Sequence, residues 1–392
     1  MPAPRDDTER VPREHPVRDR RARARHDRRA QAAVIVVAVV AGLIAAALGT
    51  RPEQQARALS HSTPTTVKPI GKPKTVLFAH VDPEHHLDLL FVAGLARGGK
   101  TGSLVFVPAT TLVQVPAFDT QTLADLPKLG SAALLATSVA NALGLHFDQV
   151  TVVGDKRLTE ILAPATRFDV VFGHSVQVDD SAGTLAFTRG RAHITAGDAT
   201  RLLIGKDSAG ILDHLVTVQA VLQGWFNRLR TGSVATATVK VTNQTHSLVA
   251  LARANVGFDT LPVKVLSSGS IARYEIREPD ADKLVRADFP YAMLSSGKRL
   301  RVEVLNGTGA IALTQAVARR IVPAGDEITL TGNVPGFGVR HTQVVYYRAA
   351  DLPAARRLAA ALGVGSVALG NVPLDVVDLT VIVGKDFHPT RR

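Results

Sequence analysis

The sequence predicts an α/β protein: a membrane anchor helix, then a domain with a central mixed sheet, then a small βαββαβ domain. Three observations carry that expectation. Nearly continuous apolar runs such as TVLFAHVD (75–82) read as strands covered on both faces. Stretches with a single apolar stripe at helical spacing alternate with these runs. A charge-free segment of eighteen residues, AAVIVVAVVAGLIAAALG (32–49), precedes them all.

At about 1.5 Å rise per residue, that segment is near the lower limit for crossing a bilayer as a helix. Before it, ten arginines between Arg5 and Arg29 stand against six acidic residues. The positive-inside bias places the tail (1–31) in the cytoplasm and everything after Gly49 outside. The rival reading is a cleaved signal peptide, since Ala-Ala-Ala-Leu-Gly-Thr offers small residues to a peptidase. Its apolar core is longer than the usual stretch of about 7–15 residues. Residues 50–74, rich in Pro, Ser, Thr and Lys, read as a linker.

The chain has no cysteine, which removes thiol nucleophiles, Cys-ligated zinc and Fe–S clusters. Of the net charge of +12, the tail supplies four, ten arginines less six acids, and +8 remains for the exported part. Such a surface is compatible with anionic wall polymers. The basic tail lacks a helix-turn-helix pattern and interleaved aromatics, so no nucleic acid is expected.

After TVLFAHVD, the runs LLFVAGLA (89–96) and SLVFVP (103–108) predict two more strands. Leu134, Leu135, Val139 and Leu143 predict a helix over 131–145 that stops at Gly144. QVTVV (149–153), FDVVF (168–172) and TLAFTR (184–189) predict strands, and 211–229 a long amphipathic helix. SLVALARAN reads as a helix, and FDTLPVKVL and IARYEIRE as strands. Trp225 on the long helix reads as core, with a sugar platform as the alternative.

The last unit runs strand 300–305, helix 310–322, strand 326–332, strand 342–348, helix 352–362, strand 378–383. This is a split βαβ, resembling a ferredoxin-like layer. Gly307, Gly309 and Ala312 satisfy the G-x-G-x-x-G/A spacing of dinucleotide folds, with Asp326 about twenty residues on. The order of elements argues against a dinucleotide, because Asp326 falls at the start of the second strand rather than its end. Asn306, Gly307 and Gly309 therefore read as a tight structural turn.

VEVLNGTGAIALTQAVARRI, then Gly336-Phe337-Gly338-Val339, TQVVYYRAADLPAARRLAAALG and DLTVIVGKDF, resemble the LytR C-terminal domain of actinobacterial envelope proteins over 299–386. In that family the module often follows a LytR-CpsA-Psr (LCP) domain behind one transmembrane helix. LCP enzymes transfer glycopolymers from a lipid pyrophosphate carrier to peptidoglycan, using a magnesium ion, acidic residues and arginines. Residues 75 to about 230, within an extracytoplasmic domain at 75–295, look like a degenerate version. TVLFAHVD is similar to its first strand with the terminal Asp, HLDLLFVAG to its Arg-Ser-Asp-Thr strand, and LVFVPATTLVQVP to its Pro-Arg-Asp strand.

The departures fall on the charges. His86 replaces the expected arginine, and Pro108-Ala109-Thr110 carries neither charge of the Pro-Arg-Asp turn. The Arg-x-Arg segment falls near Ile204-Gly205-Lys206. A pyrophosphate needs fixed positive charge, best supplied by bidentate arginine. The resemblance therefore implies a binding or scaffolding factor in wall assembly rather than an ordinary transferase. The alternative it leaves is an atypical phosphotransferase.

Candidate residues follow from that alternative. Asp82 and Asp88 are candidate ligands for Mg2+ if the site is retained; the plainer reading is two acids at strand ends. Arg189, Arg191, Arg201 and Lys206 are candidate phosphate-binding residues or a solvated edge. In AHVDPEHH, His80, Asp82, Glu84, His85 and His86 are all metal-ligand types, but Pro83 prevents helical ligand spacing. No G-x-S-x-G supports serine hydrolysis. The implied partners are the membrane, a polyprenyl-linked wall precursor, peptidoglycan and wall-assembly proteins.

Overall fold

The computed structural model describes residues 74–207, 209–231, 243–268, 271–371 and 376–389. The tail, the apolar segment 32–49 and the linker up to residue 73 lie outside the described residues. Among the described residues, no helix is long and apolar enough to cross a membrane.

The chain opens with three antiparallel strands, β1 (Lys74–Val81), β2 (Leu87–Leu95) and β3 (Thr101–Phe106). A hairpin of β4 (Leu112–Val115) and β5 (Asp119–Thr122) leads to α1 (Leu126–Leu129) and α2 (Ala132–Leu143). Strand β6 (Gln149–Val153) then pairs parallel with β1. Next come α3 (Asp155–Leu162), β7 (Arg167–Phe172), β8 (Val176–Asp180), β9 (Gly183–Phe187) and β10 (Gly190–Thr195). They lead through α4 (Ala196–Ile204) and β11 (Lys206–Asp207) to α5 (Ile211–Thr231) and α6 (Asn243–Ala252). Strand β12 (Asn255–Thr260) pairs parallel with β3 and completes a mixed sheet of order β12-β3-β2-β1-β6.

Alternation within these strands explains why the sheet is covered on both faces. Val76 and Phe78 enter one core with α3 to α6, while Leu77 and Ala79 enter the other with α1 and α2. The second core also receives α7 (Glu278–Asp288), which follows the hairpin β13 (Val263–Ser268) and β14 (Ala272–Ile276). Trp225 is 1% exposed and donates to the Leu162 carbonyl at 3.1 Å, so it is core as expected. Gly144 ends α2 in the left-handed region, as its position predicts.

The expected strand FDTLPVKVL divides at Pro262 into β12 and β13. Helices α3, α4 and α7 and strands β8 and β10 were not legible as elements. α3 is only eight residues long, and α4 opens on Ala-Gly, where its Thr195–Asp198 capping box is the structural start signal.

The last unit contains β15 (Arg301–Asn306), α8 (Ile311–Ile321), β16 (Glu327–Asn333), β17 (Gln343–Tyr346), α9 (Leu352–Leu362), β18 (Ser366–Leu369) and β19 (Leu379–Val383). This corrects the βαββαβ expectation. β18 is an additional strand, and the sheet order is β16-β15-β19-β17-β18. β15 pairs directly with β16, and β17 with β18, both parallel, so neither βαβ unit is split. β19 lies between them, parallel to β15 and antiparallel to β17. Four residues on a half-exposed sheet edge gave β18 no alternating signal. Asp351 stands at the start of α9, but its carboxylate accepts from Arg348 at 2.8 Å rather than from a helix N–H.

Candidate functional site

The parallel strands β1 and β6 end side by side, and a crevice beyond such ends is where α/β sheets place ligands. His80, the next-to-last residue of β1, is fully buried. Its Nε2 lies 2.9 Å from Asp155 Oδ1 and its Nδ1 3.4 Å from Asp88 Oδ2. A bulge between His80 and Val81 leaves Asp88 as an extra residue in β2, where it meets the His80 ring. His214, at the start of α5, has its Nε2 3.3 Å from the Leu203 carbonyl. Burial pushes its imidazole below the ordinary value, against the opposing pull of the Leu203 carbonyl, Asp207 and Asp88.

Asp82 turns to a different histidine. Its Oδ1 accepts the His86 backbone N–H at 2.7 Å, and its Oδ2 faces His86 Nδ1 at 3.4 Å. Glu84 Oε2 lies 3.8 Å from the same nitrogen, and one ligand atom from each of Asp82, Glu84 and His86 falls within 4.8 Å of the others. Lys128 Nζ lies against His86 Nε2 on the other side of the ring. The expected Asp82–Asp88 pair is thus divided between two histidines. Two carboxylates and an imidazole suit zinc or a similar metal better than Mg2+, which prefers all-oxygen octahedra. The donor set around Asp82 and Asp88 does not fit the implied magnesium ion.

The Pro108-Ala109-Thr110 turn is occupied by the fold itself. Thr110 donates its hydroxyl to the Ala272 carbonyl at 2.6 Å, and the Tyr274 N–H donates to the Thr110 carbonyl. The turn that would present an Arg–Asp pair anchors β14 instead.

The four candidate cations do not converge. Arg201 is committed to Asp180, through Nε at 2.6 Å and Nη2 at 3.0 Å, and to the Gly183 carbonyl. Its hydrogen bonds hold the Asp180 carboxyl below the usual carboxylate range. Lys206 pairs opposite Asp179, near the same hairpin tip. Arg189 and Arg191 are exposed at the other end of the β8–β9 ladder, beyond the Val176–Phe187 pair. Four ladder positions, about 13 Å, separate the two ends.

Asn306, Gly307 and Gly309 form the structural turn their spacing predicts. Asn306 Oδ1 accepts the N–H groups of Thr308 and Gly309 at 3.0 and 3.1 Å, and its Nδ2 donates to the Ala310 carbonyl. A Cβ at Gly307 would lie 2.6 Å from Val339 Cβ and from the Val383 carbonyl oxygen. The backbone approach that a dinucleotide fold reserves for pyrophosphate is filled by protein. Asp326 is 1% exposed and bound by Arg357 at 2.8 and 3.0 Å, so it is not free to read a ribose.

A lipid tail would need space under the sheet. Between Phe78, Phe91, Trp225, Phe226 and Leu248 the remaining void is about 10 Å³, against roughly 300–1,000 Å³ for small-ligand sites. Phe78 and Phe91 stack at 4.7 Å, and Phe91 meets Phe106 edge-on at 6.1 Å. Aromatic side chains fill this layer.

Sequence reasoning named His80, Asp82, Glu84, His86 and Asp88 but did not divide them correctly. It missed Asp155, Asp207 and His214. Asp155 follows the apolar run QVTVV and Gly154, and a strand end of that kind was the available signal.

Residues 299–387 match the family model described as LytR cell envelope-related transcriptional attenuator, agreeing with the span read from the motifs. A search of the curated proteins finds no match. Among solved structures, the chain is similar to B. subtilis TagV at 14% identity and TM-score 0.47, over 57% of this chain and 99% of that one. Lin1025 from Listeria innocua gives 15% identity and TM-score 0.41, over 57% and 98%. TagT bound to LI-WTA gives 13% identity and TM-score 0.45, over 58% and 95%.

Proposed function

We propose that the chain is a cell-envelope protein, anchored by residues 32–49 with its N-terminus in the cytoplasm and the described fold outside. In this reading it acts in wall assembly by binding or scaffolding, not by transferring a pyrophosphate-linked polymer. The domain at 75–295 is the LCP-like part, and 299–387 the LytR C-terminal part. The observation that carries the reading is the Asp88–His80–Asp155 arrangement at the strand ends. With Asp207 also acting on His214, these strand ends carry negative charge where a pyrophosphate needs positive charge. The packed aromatic layer supports the same reading.

One observation favours the second reading, an atypical metal-using phosphotransferase. Asp82, Glu84 and His86 do converge at a strand end. They would hold the metal, and exposed Arg189 and Arg191 would be the cations left to meet an anion.

The test is genetic replacement in the source organism. An Asp82→Ala/Asp88→Ala chain should restore the envelope defects of a deletion, whereas a chain ending at residue 298 should not. A double variant that accumulates normally but fails to restore would support the enzyme.

A further inference from the structure

The acids of the first domain gather toward one end, where Lys128, Lys156 and Lys206 accompany them, and a cluster of cations lies at the other. At the end where β1 and β6 finish, Asp82, Glu84, Asp88, Asp155, Asp207 and Asp213 gather. The opposite end is basic. Lys74 opens β1 and pairs with Leu95, and Leu95 pairs with Gly102. Those registers place Arg97 and Lys100, in the β2–β3 turn, beside Lys74. Arg253 joins them, because β12 starts with Asn255 opposite Thr101 and donates its N–H to the Lys100 carbonyl.

Helix α5 brings two more. His214 at its start lies at the acidic end, whereas Trp225 reaches the last residue of α3, at the basic end. Arg228 and Arg230 extend beyond it and are exposed. Among the described residues, no ion pair includes these six cations. Of the acids at this end, Asp288 beside Ser103 has its Oδ2 buried and pairs with none of the six cations, and three others are engaged elsewhere. Asp148 accepts from the Thr75 N–H, Asp198 closes the α4 capping box, and Glu160 pairs with Arg157.

The chain enters the described fold at Lys74, within this basic cluster. Only 24 residues separate Lys74 from Gly49, the end of the eighteen-residue apolar segment. We infer that the end carrying Lys74, Arg97, Lys100, Arg228, Arg230 and Arg253 is a docking face for the anionic lipid headgroups of the membrane that anchors the chain. The inference rests on the anchoring reading and adds an orientation to it. β1 spans about 26 Å, so docking this end holds Asp82 and Asp88 away from the bilayer, on the wall side. Clustered Lys and Arg beside a membrane segment are attracted to anionic lipid over about a Debye length.

The absence of cysteine makes the test direct. Full-length chains carrying a single Thr101→Cys or Lys156→Cys substitution, at the basic and acidic ends respectively, take one donor dye each. They are reconstituted in vesicles of zwitterionic lipid with or without about 30% anionic lipid, each containing an acceptor on the headgroup. Energy transfer from position 101 should exceed that from 156 severalfold in anionic vesicles. The excess should fall toward the zwitterionic level in about 0.5 M salt, where the Debye length is about 4 Å. Arg97→Glu/Lys100→Glu should abolish it while leaving far-UV circular dichroism unchanged. Equal transfer from both positions, or transfer insensitive to lipid charge and salt, overturns the docking face. A chain that does not float with zwitterionic vesicles after a high-salt wash overturns the anchor instead, which distinguishes the two failures.

Discussion

Asp88 turns its carboxylate to His80, with Oδ2 at 3.4 Å from Nδ1, while Asp155 holds the other ring nitrogen at 2.9 Å. The residue expected to bind a metal beside Asp82 is instead one of two acids flanking a fully buried imidazole. Replacing His80 by Ala leaves both carboxylates without that partner and opens a cavity. The expected loss is about 2–4 kcal/mol, read as a lower urea midpoint with unchanged slope.

Asn141 joins the two folded parts through backbone. Its Nδ2 donates to the Ile328 carbonyl and its Oδ1 accepts the Ile328 N–H, both at 2.8 Å, so that a side-chain amide pairs with edge strand β16. Asn141→Ala strands two buried groups and should cost about 2–4 kcal/mol. It should also separate the unfolding of residues 299–387 from the rest, giving two calorimetric transitions where the parent shows one. A single transition at the parent temperature would contradict this.

The NGTG turn predicts unequal effects of alanine at its two glycines. Gly309 has φ +86 and only ordinary contacts around its Cβ position, so Gly309→Ala should cost about 1 kcal/mol. Gly307→Ala meets Val339 and the Val383 carbonyl at 2.6 Å and should cost about 2–3 kcal/mol. Neither variant should alter NADH fluorescence, because the parent should not bind the nucleotide.

A pH dependence follows from the far side of the sheet. Burial, reinforced by Asp259, raises the Asp288 carboxyl above its ordinary value, and burial likewise raises Asp259. Asp288 Oδ2 is buried without a hydrogen-bond partner. A carboxyl raised in the folded state contributes stability below its unfolded pKa, near 3.8, and loses it as pH rises through the folded value. Asp288→Asn should therefore raise the urea midpoint at pH 7 more than at pH 4. Equal changes at the two pH values would contradict the assignment.

Much of the architecture was legible because the physics is local. Runs such as Val76 to Ala79 are apolar on both faces and specify a covered strand, and Gly144 and Gly363 mark helix ends by their left-handed backbone. Asn306, Gly307 and Gly309 announced their turn for the same reason. What stayed hidden is set by register and long-range pairing. Only the bulge at His80 decides that Asp88 meets that ring and not Asp82, and nothing near Arg201 in the sequence announces Asp180. β18 escaped because four half-exposed residues lack a period to read.

In the proposed function the ends of β1 and β6 do not hold a pyrophosphate for transfer. Isothermal titration of the detergent-purified full chain with a polyprenyl pyrophosphate, with and without Mg2+, tests it most directly. No magnesium-dependent binding is expected, in the parent or in Asp88→Ala. Magnesium-dependent binding by the parent that disappears in Asp88→Ala would contradict it and establish a retained transferase site.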